Sequence, residues 1–394
     1  MRSTLHRQPW RLFVLALLLS GLAWSSESRA ADCKVASFSR KPISASSSVW
    51  SRSDLVVLDN ARHDLLLFGN NGQAKGAAYG ALAKSLNDLR PLGMARRGDG
   101  LTGDGRILIQ SELNRFLVLT PDYTFEGSVD VLSRPTSEGS SIERIYSWAP
   151  TWSATRKDIV AFADLKKGDQ WSTGVVRFPV DFVQGAQGWF LKNLSVNEPS
   201  RKFHRLGLGY SYIASLQDQA YVMLMDNGFR LWRSDGAGRF IELPRFNETF
   251  PVREVPVLPA FIRPTDYAPL MGEIEKAEMP TAIYGWKGEL YVLWRRPVQG
   301  TTNWFLSRLR PTDGELLSTI PIPSHSSHLL AVPGEENWAF IEKGAVLGLQ
   351  NQEVRSVLNL PAADLRGALA SRQATTAEAK RGDTGAVPAL CRRP

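Results

Sequence analysis

Short apolar runs, each broken by a turn, recur along the chain with little helical periodicity. Leu55-Val56-Val57-Leu58 meets Asp59-Asn60, then Asp64-Leu65-Leu66-Leu67-Phe68 and Asn70-Asn71-Gly72. Arg106-Ile107-Leu108-Ile109 precedes Arg115-Phe116-Leu117-Val118-Leu119 and a turn at Pro121-Asp122. Ile159-Val160-Ala161-Phe162-Ala163 loops through Gly168 to Gly174-Val175-Val176-Arg177-Phe178. Ala220-Tyr221-Val222-Met223-Leu224-Met225 turns at Asp226-Asn227-Gly228 into Phe229-Arg230-Leu231-Trp232. Glu289-Leu290-Tyr291-Val292-Leu293-Trp294 is followed by Trp304-Phe305-Leu306-Ser307-Arg308-Leu309 and Thr312-Asp313-Gly314. Trp338-Ala339-Phe340-Ile341-Glu342 is followed by Ala345-Val346-Leu347-Gly348-Leu349. Branched and aromatic side chains pack well on a pleated surface, so these runs predict strands. The Asp-Asn-Gly turn supplies the positive φ that a tight hairpin needs.

Each pair of runs predicts a hairpin, followed by a second turn and often a third strand. From the first hairpin to the fourth the spacing is roughly 50–60 residues, a period that fits about four strands per unit in a β-propeller. The expected fold is all-β: a single six-bladed β-propeller over residues 31–360. Its blades are expected near 50–78, 104–130, 143–182, 208–245, 280–320 and 328–360. A long proline-rich insertion at 246–279 and a C-terminal tail at 361–394 complete it. A two-domain all-β arrangement is the alternative.

Pro91-Leu92-Gly93-Met94-Ala95, then Gly103-Asp104-Gly105-Arg106-Ile107-Leu108-Ile109, resembles the inter-blade phrase of NHL-type and related six-bladed propellers. Leu55 to Gly72 resembles their next phrase: a strand ending in Asp-Asn, a basic residue, a strand ending in Phe and a Gly turn. Lys287-Gly288-Glu289-Leu290-Tyr291-Val292-Leu293 with Thr312-Asp313-Gly314-Glu315 is similar. The resemblance to this NHL/TolB-like superfamily spans most of residues 45–360. It implies a fold and brings no active site with it.

Arg2, Arg7 and Arg11 precede an apolar run from Leu12 to Leu19, with Ser28 and Ala30 at the small-residue positions of a cleavage zone. This predicts a secretory signal peptide over 1–30, exported by a Sec-type route since no twin-Arg pair is present. A retained anchor is the alternative, but the apolar core is short for a span of about 20 residues. The expected location is periplasmic or secreted. An oxidising compartment lets disulfides persist. The two cysteines of the sequence, Cys33 and Cys391, allow one intramolecular pair, a clasp between the chain ends; free or intermolecular thiols are the alternative.

The formal net charge is +8. Cleavage after Ala30 would remove Arg2, Arg7, Arg11 and Arg29 against Glu27, leaving a milder surplus of scattered charges. Nucleic acid is therefore not an expected partner. No later segment is long and apolar enough to span a bilayer, and a monomer is expected.

Candidate chemistry is sparse. Arg97 to Gly105 is Gly-rich with two aspartates, but it precedes a strand, whereas a dinucleotide loop follows one and opens a helix. It reads as a turn between blades. His325 and His328 would share a metal on a helix, which Pro321, Pro323 and Pro333 oppose. Gly-x-Ser-x-Gly, His-Glu-x-x-His and Ser-x-x-Lys with its companions are all absent.

Aromatic content is the stronger signal. Trp148, Trp152, Trp171, Trp189, Trp286, Trp294 and Trp304 fall in the middle and later blades. Trp148 and Trp152 flank Ala149-Pro150 in a segment that reads as loop, where a flat ring could stack on a sugar or hold a peptide. Arg295 and Arg296 follow the strand ending at Trp294 and could bind an anion. The candidate ligand-binding residues are thus Trp148, Trp152, Arg295 and Arg296, with no catalytic or metal residues assigned. The stretch 246–279 is too long for a plain connector and could lie across one face of the ring. The expected function is a non-catalytic binding or scaffold module for an envelope or extracellular protein, peptide or glycan, requiring no cofactor. The alternative is a lactonase-like hydrolase with Ca²⁺ in the central channel.

Overall fold

The runs between turns fold into strands, and the order of their pairing is the order of the chain. The structure is a computed structural model. It describes residues 35–37, 45–59, 64–69, 74–77, 91–94, 96–97, 105–111, 115–145, 151–153, 157–180, 187–190, 211–225, 229–235, 239–249, 269, 276–322, 324–326, 328–335, 337–343 and 356–361.

The N-terminal strand β1 (Val35–Ser37) belongs to the last sheet. The first sheet runs β2 (Ala45–Ser51), β3 (Asp54–Asp59), β4 (Asp64–Gly69), β5 (Ala74–Ala77). The second contains β6 (Pro91–Met94), while β7 (Arg96–Arg97) crosses to the third; β8 (Ile107–Ser111), β9 (Arg115–Leu119) and β10 (Phe125–Asp130) complete it. The third contains β11 (Ser141–Ile145), β12 (Thr151–Ser153), β13 (Asp158–Lys167), β14 (Gln170–Pro179) and β15 (Gln187–Phe190). The fourth is β16 (Ser211–Leu216), β17 (Gln219–Met225), β18 (Phe229–Ser234) and β19 (Phe240–Glu242), followed by helix α1 (Pro244–Thr249). The fifth is β20 (Met279–Trp286), β21 (Glu289–Val298), β22 (Thr301–Leu309) and β23 (Leu316–Ile322). The sixth is β24 (His328–Pro333), β25 (Asn337–Lys343) and β26 (Ser356–Pro361), with β1 on its edge.

Unbroken apolar runs, rather than alternating ones, follow from burial on both faces. On β3, Leu55 and Val57 pack against Val332, Ala339 and Ile341 of the sixth sheet. Their neighbours Val56 and Leu58 point the other way, against Ile107 and Ile109 of the second. The same division recurs around the molecule. Leu108 and Phe116 meet Ile159 and Phe178; Phe162 and Val175 meet Ile213 and Trp232. Met223 and Leu231 meet Val292 and Trp294; Trp286 and Leu306 meet Leu329 and Trp338. Every sheet shares one apolar seam with the sheet before it and one with the sheet after, so the sheets close into a ring. The first strands lie innermost, β2 against both β6 and β24, and β16 against both β12 and β20. At that centre Gly285 is forced: a Cβ there would stand 2.3 Å from the Ser215 carbonyl oxygen.

The expected six equivalent blades need correction. Five sheets are four-stranded blades and the third has six strands. β13 is ten residues long, enough to pair β12 along Asp158–Val160 and β11 along Ala163–Lys166. The short β7 then adds to β12 in parallel.

Closure comes from the N-terminus. Val35, Ala36 and Ser37 pair with Leu358, Val357 and Ser356, so β1 completes the last blade with backbone hydrogen bonds before the chain crosses into the first. Cys33, Cys391 and the expected signal segment 1–30 lie outside the described residues, as does the tail beyond Pro361.

Candidate functional site

Strand number sets which face of the ring can vary. The chain enters a blade along its inner strand, and four antiparallel strands return it to the side it came from. Connections between sheets therefore gather on one face, here the connection face. The described segment 131–140, between β10 and β11, lies there, and β5, β15 and β23 end toward it, whereas α1 after β19 packs toward the hairpin-side turn at 310–315, where Arg245 pairs with Asp313 and Glu315. The opposite, hairpin face carries the short links between first and second strands, such as 217–218 and 287–288. Gln217, Asp218, Lys287 and Gly288 all have positive φ, the geometry a two-residue hairpin needs.

Side chains brace the hairpin face. Trp50 Nε1 donates to the Val332 carbonyl at 3.0 Å, and Ser51 Oγ to that of Gly105 at 2.7 Å. Arg177 Nη2 reaches the Asp218 carbonyl at 3.0 Å, with its Nε 3.4 Å from the Asp158 carboxylate. The Tyr221 hydroxyl lies between Gln219 Oε1 at 3.1 Å and, across the seam, the Pro311 carbonyl at 3.3 Å, and Trp286 Nε1 donates to the Gly334 carbonyl at 2.9 Å. Each of these carbonyl contacts crosses a seam. The remaining seam is crossed by Gln110, fully buried, whose Nε2 donates to the Ile145 carbonyl at 3.1 Å. Burial raises the Tyr221 phenol above its ordinary range. Tyr123 is raised too, by burial first and then by its 2.9 Å hydrogen bond to the Asp54 carboxylate.

Of the sequence candidates, Arg295 and Arg296 fall toward the connection face, whereas Trp152 lies toward the hairpin end of its sheet. Arg295 and Arg296 do not follow a strand; they lie within β21, which continues to Val298, and both are buried, at 4% and 9% exposure. Neighbours on a strand point oppositely, so each faces a different seam. The Arg296 guanidinium lies 5.3 Å from the Trp294 ring centre and 5.8 Å from that of Phe305. Its Nη2 donates to Glu278 Oε1 at 2.8 Å. Arg295 Nη2 sits 3.6 Å from the Met279 sulfur. An arginine this buried is stable only with partners. Here the Glu278 pair ties the returning end of the 243–278 segment to β21. An external anion would have to displace that carboxylate.

Trp152 is a second correction. It stands on β12 rather than on a loop and is 1% exposed, packed in the seam between the second and third sheets. Its ring offers no face to solvent. Trp148 lies outside the described residues. Trp171, by contrast, is half exposed at 50%. It pairs across the β13–β14 hairpin with Lys166, whose Nζ lies 5.7 Å from the indole centre. No sequence signal separates it from the buried tryptophans, because the hairpin's reach beyond its blade decides its exposure.

Among the described residues, no group of three His, Cys, Asp or Glu side chains is placed to hold a metal. No described helix is long and apolar enough to cross a membrane.

No family model matches the chain, and no curated protein matches it in sequence. Solved structures do. The fold is similar to a member of the duf4221 family from Bacteroides vulgatus, at 11% identity and a TM-score of 0.47, covering 84% of this chain and 96% of that one. Hydrazine synthase of Kuenenia stuttgartiensis matches at 10% identity and a TM-score of 0.43, covering 88% and 85%. A subtype N10 neuraminidase-like protein of A/little yellow-shouldered bat/Guatemala/060/2010 matches at 8% identity and 0.40, covering 84% and 98%. Likenesses at this level concern fold and bring no activity or ligand to this chain.

Proposed function

We propose that this chain is an exported β-propeller that acts as a non-catalytic binding or scaffold module, holding a protein, peptide or glycan partner on its connection face. One observation carries the reading: the two faces are unequal. The hairpin face is braced by seam-crossing hydrogen bonds, while the described segment 131–140 and the 166–171 hairpin stand on the other. Connecting segments on a rigid scaffold tolerate variation and carry recognition. A Cys33–Cys391 disulfide would hold the chain end at β1 beside the closing sheet, and non-reducing mass mapping of exported protein would find it.

The test is site-specific photocrosslinking in producing cells, with a photoreactive residue at Thr301 on the connection face or at Glu335 on the hairpin face, both exposed. Adducts from position 301 and not from 335 are expected. Adducts from 335 alone, or from neither position, would overturn the proposal. Stoichiometric Ca²⁺ in purified protein would also overturn it, in favour of a hydrolase in the channel.

A further inference from the structure

We infer that Trp171 and Lys166 form a platform for an acidic saccharide, a pyranose ring stacking on the indole while its carboxylate pairs with the lysine. The inference rests on the connection face being the binding face and names the ligand class one part of it takes.

The platform is held in place. β13 and β14 pair residue for residue from Asp158↔Pro179 to Lys167↔Gln170, and Gly168 takes the positive φ of the turn. On the far side of β13, β11 pairs Ser141 with Lys166, and Ser141 Oγ, which donates to Glu143 Oε1 at 2.6 Å, lies 3.3 Å from the Lys166 carbonyl. The chain before β11 is itself folded: Ser133 N donates to the Ile142 carbonyl at 2.7 Å, and Ile142 N to that of Arg134 at 3.0 Å. Lys167 Nζ ties the hairpin to this segment through the Glu138 carbonyl at 3.0 Å. The platform therefore loses little freedom when it binds.

Its chemistry selects the ligand. A half-exposed indole is a flat apolar surface of about one sugar ring, and a pyranose presents a matching face of C–H groups with hydroxyls around its rim. Asp169 and Gln170, both exposed, and the half-buried Ser172 supply donors and acceptors beside the ring. A protein partner needs about 800 Å² of its own surface buried, usually around a larger apolar patch. Here the indole is ringed by polar side chains. The charge that selects an acid is Lys166, which lies over the ring, while Lys167 is held on the Glu138 carbonyl and Asp169 stands exposed on the turn.

The experiment titrates the full exported chain by calorimetry with three probes: a tetragalacturonate, the neutral tetrasaccharide cellotetraose and a tetraglutamate peptide. Tetragalacturonate is expected to bind with a Kd below about 1 mM and more tightly than either other probe. Trp171→Ala should weaken it at least about tenfold. Lys166→Gln should weaken it about threefold and flatten its salt dependence, because it removes one charge contact. Trp171→Ala binding as wild type does would overturn the inference, as would tighter Trp171-dependent binding of the peptide or no binding of tetragalacturonate. Crosslinks from Thr301 together with any of these results would leave the module reading standing and sink this one alone.

Discussion

The two rims of this ring are built to different specifications. On the hairpin rim, Trp50, Ser51, Arg177 and Trp286 each donate to a backbone carbonyl of the neighbouring sheet, and the Tyr221 hydroxyl lies against another. The connection rim carries instead the half-exposed Trp171, exposed Leu132 and Val298, and the Arg296–Glu278 pair. Burying a carbonyl without a donor costs about 1–3 kcal/mol, so the braced rim is unforgiving of substitution. The other rim has ties of its own, Trp304 Nε1 to the Ser326 carbonyl and Gln110 Nε2 to that of Ile145, but its exposed side chains can change with little effect on closure. A ring that must stay shut while its recognition surface diverges is served by such a division.

The comparison breaks first at Trp338. It is fully buried near the hairpin rim, with ring centres of Trp286, Tyr291 and Tyr284 at 5.2, 5.5 and 5.6 Å. Trp338→Ala should cost about 3–5 kcal/mol, the range for deleting a large aromatic from a packed core. Denaturant unfolding measures it; a cost under about 1 kcal/mol would mean the seam is loose and the rims are alike. Gly285→Ala comes next, at about 1–3 kcal/mol, because the added methyl meets a backbone oxygen and not a side chain that can rotate away.

Smaller effects sharpen the contrast. Tyr221→Phe removes one seam contact and should cost about 0.5–1.5 kcal/mol in the same measurement. Tyr123 adds a pH dependence. Its folded pKa is raised, so the fold favours the neutral phenol. That contribution is full below the unfolded value of about 10 and is lost as pH rises through the folded one. Stability should therefore decline on the alkaline side of about pH 10, and Tyr123→Phe should make the decline shallower. Equal slopes for the two proteins would show that neither burial nor the Asp54 hydrogen bond raises this phenol in the fold.

Much of the fold was legible because the central strands are apolar on both faces. Leu55–Leu58 lies inside β3, Asp64–Phe68 inside β4, and Asp226-Asn227-Gly228 separates β17 from β18. The inner strands were hidden. β2 reads Ala-Ser-Ser-Ser-Val-Trp-Ser and β12 only Thr-Trp-Ser, too polar or too short to announce themselves. Their pairing is imposed by β3 and β13, the partners to which they belong. That is why Trp152 read as a loop residue and proved to be core. Arg295 and Arg296 read as strand-end residues because charge normally marks an edge, whereas here aromatic and carboxylate partners allow β21 to run through them.

The smallest effect is the most discriminating. Trp171 and Trp152 stand in the same sheet, and both are tryptophans bounded by polar neighbours in sequence. Trp171→Ala should change stability by no more than about 0.5 kcal/mol, since its ring is half in water and ties no seam. The same substitution at Trp152 removes a fully buried indole and belongs with the costs of Trp338→Ala. A pair of denaturation curves decides between two accounts. If position 171 proves as costly as 152, the hairpin tip is structural and its aromatic ring is not a recognition surface. If only 152 is costly, Trp171 is carried without a structural role, and ligand titration becomes the measurement that explains it.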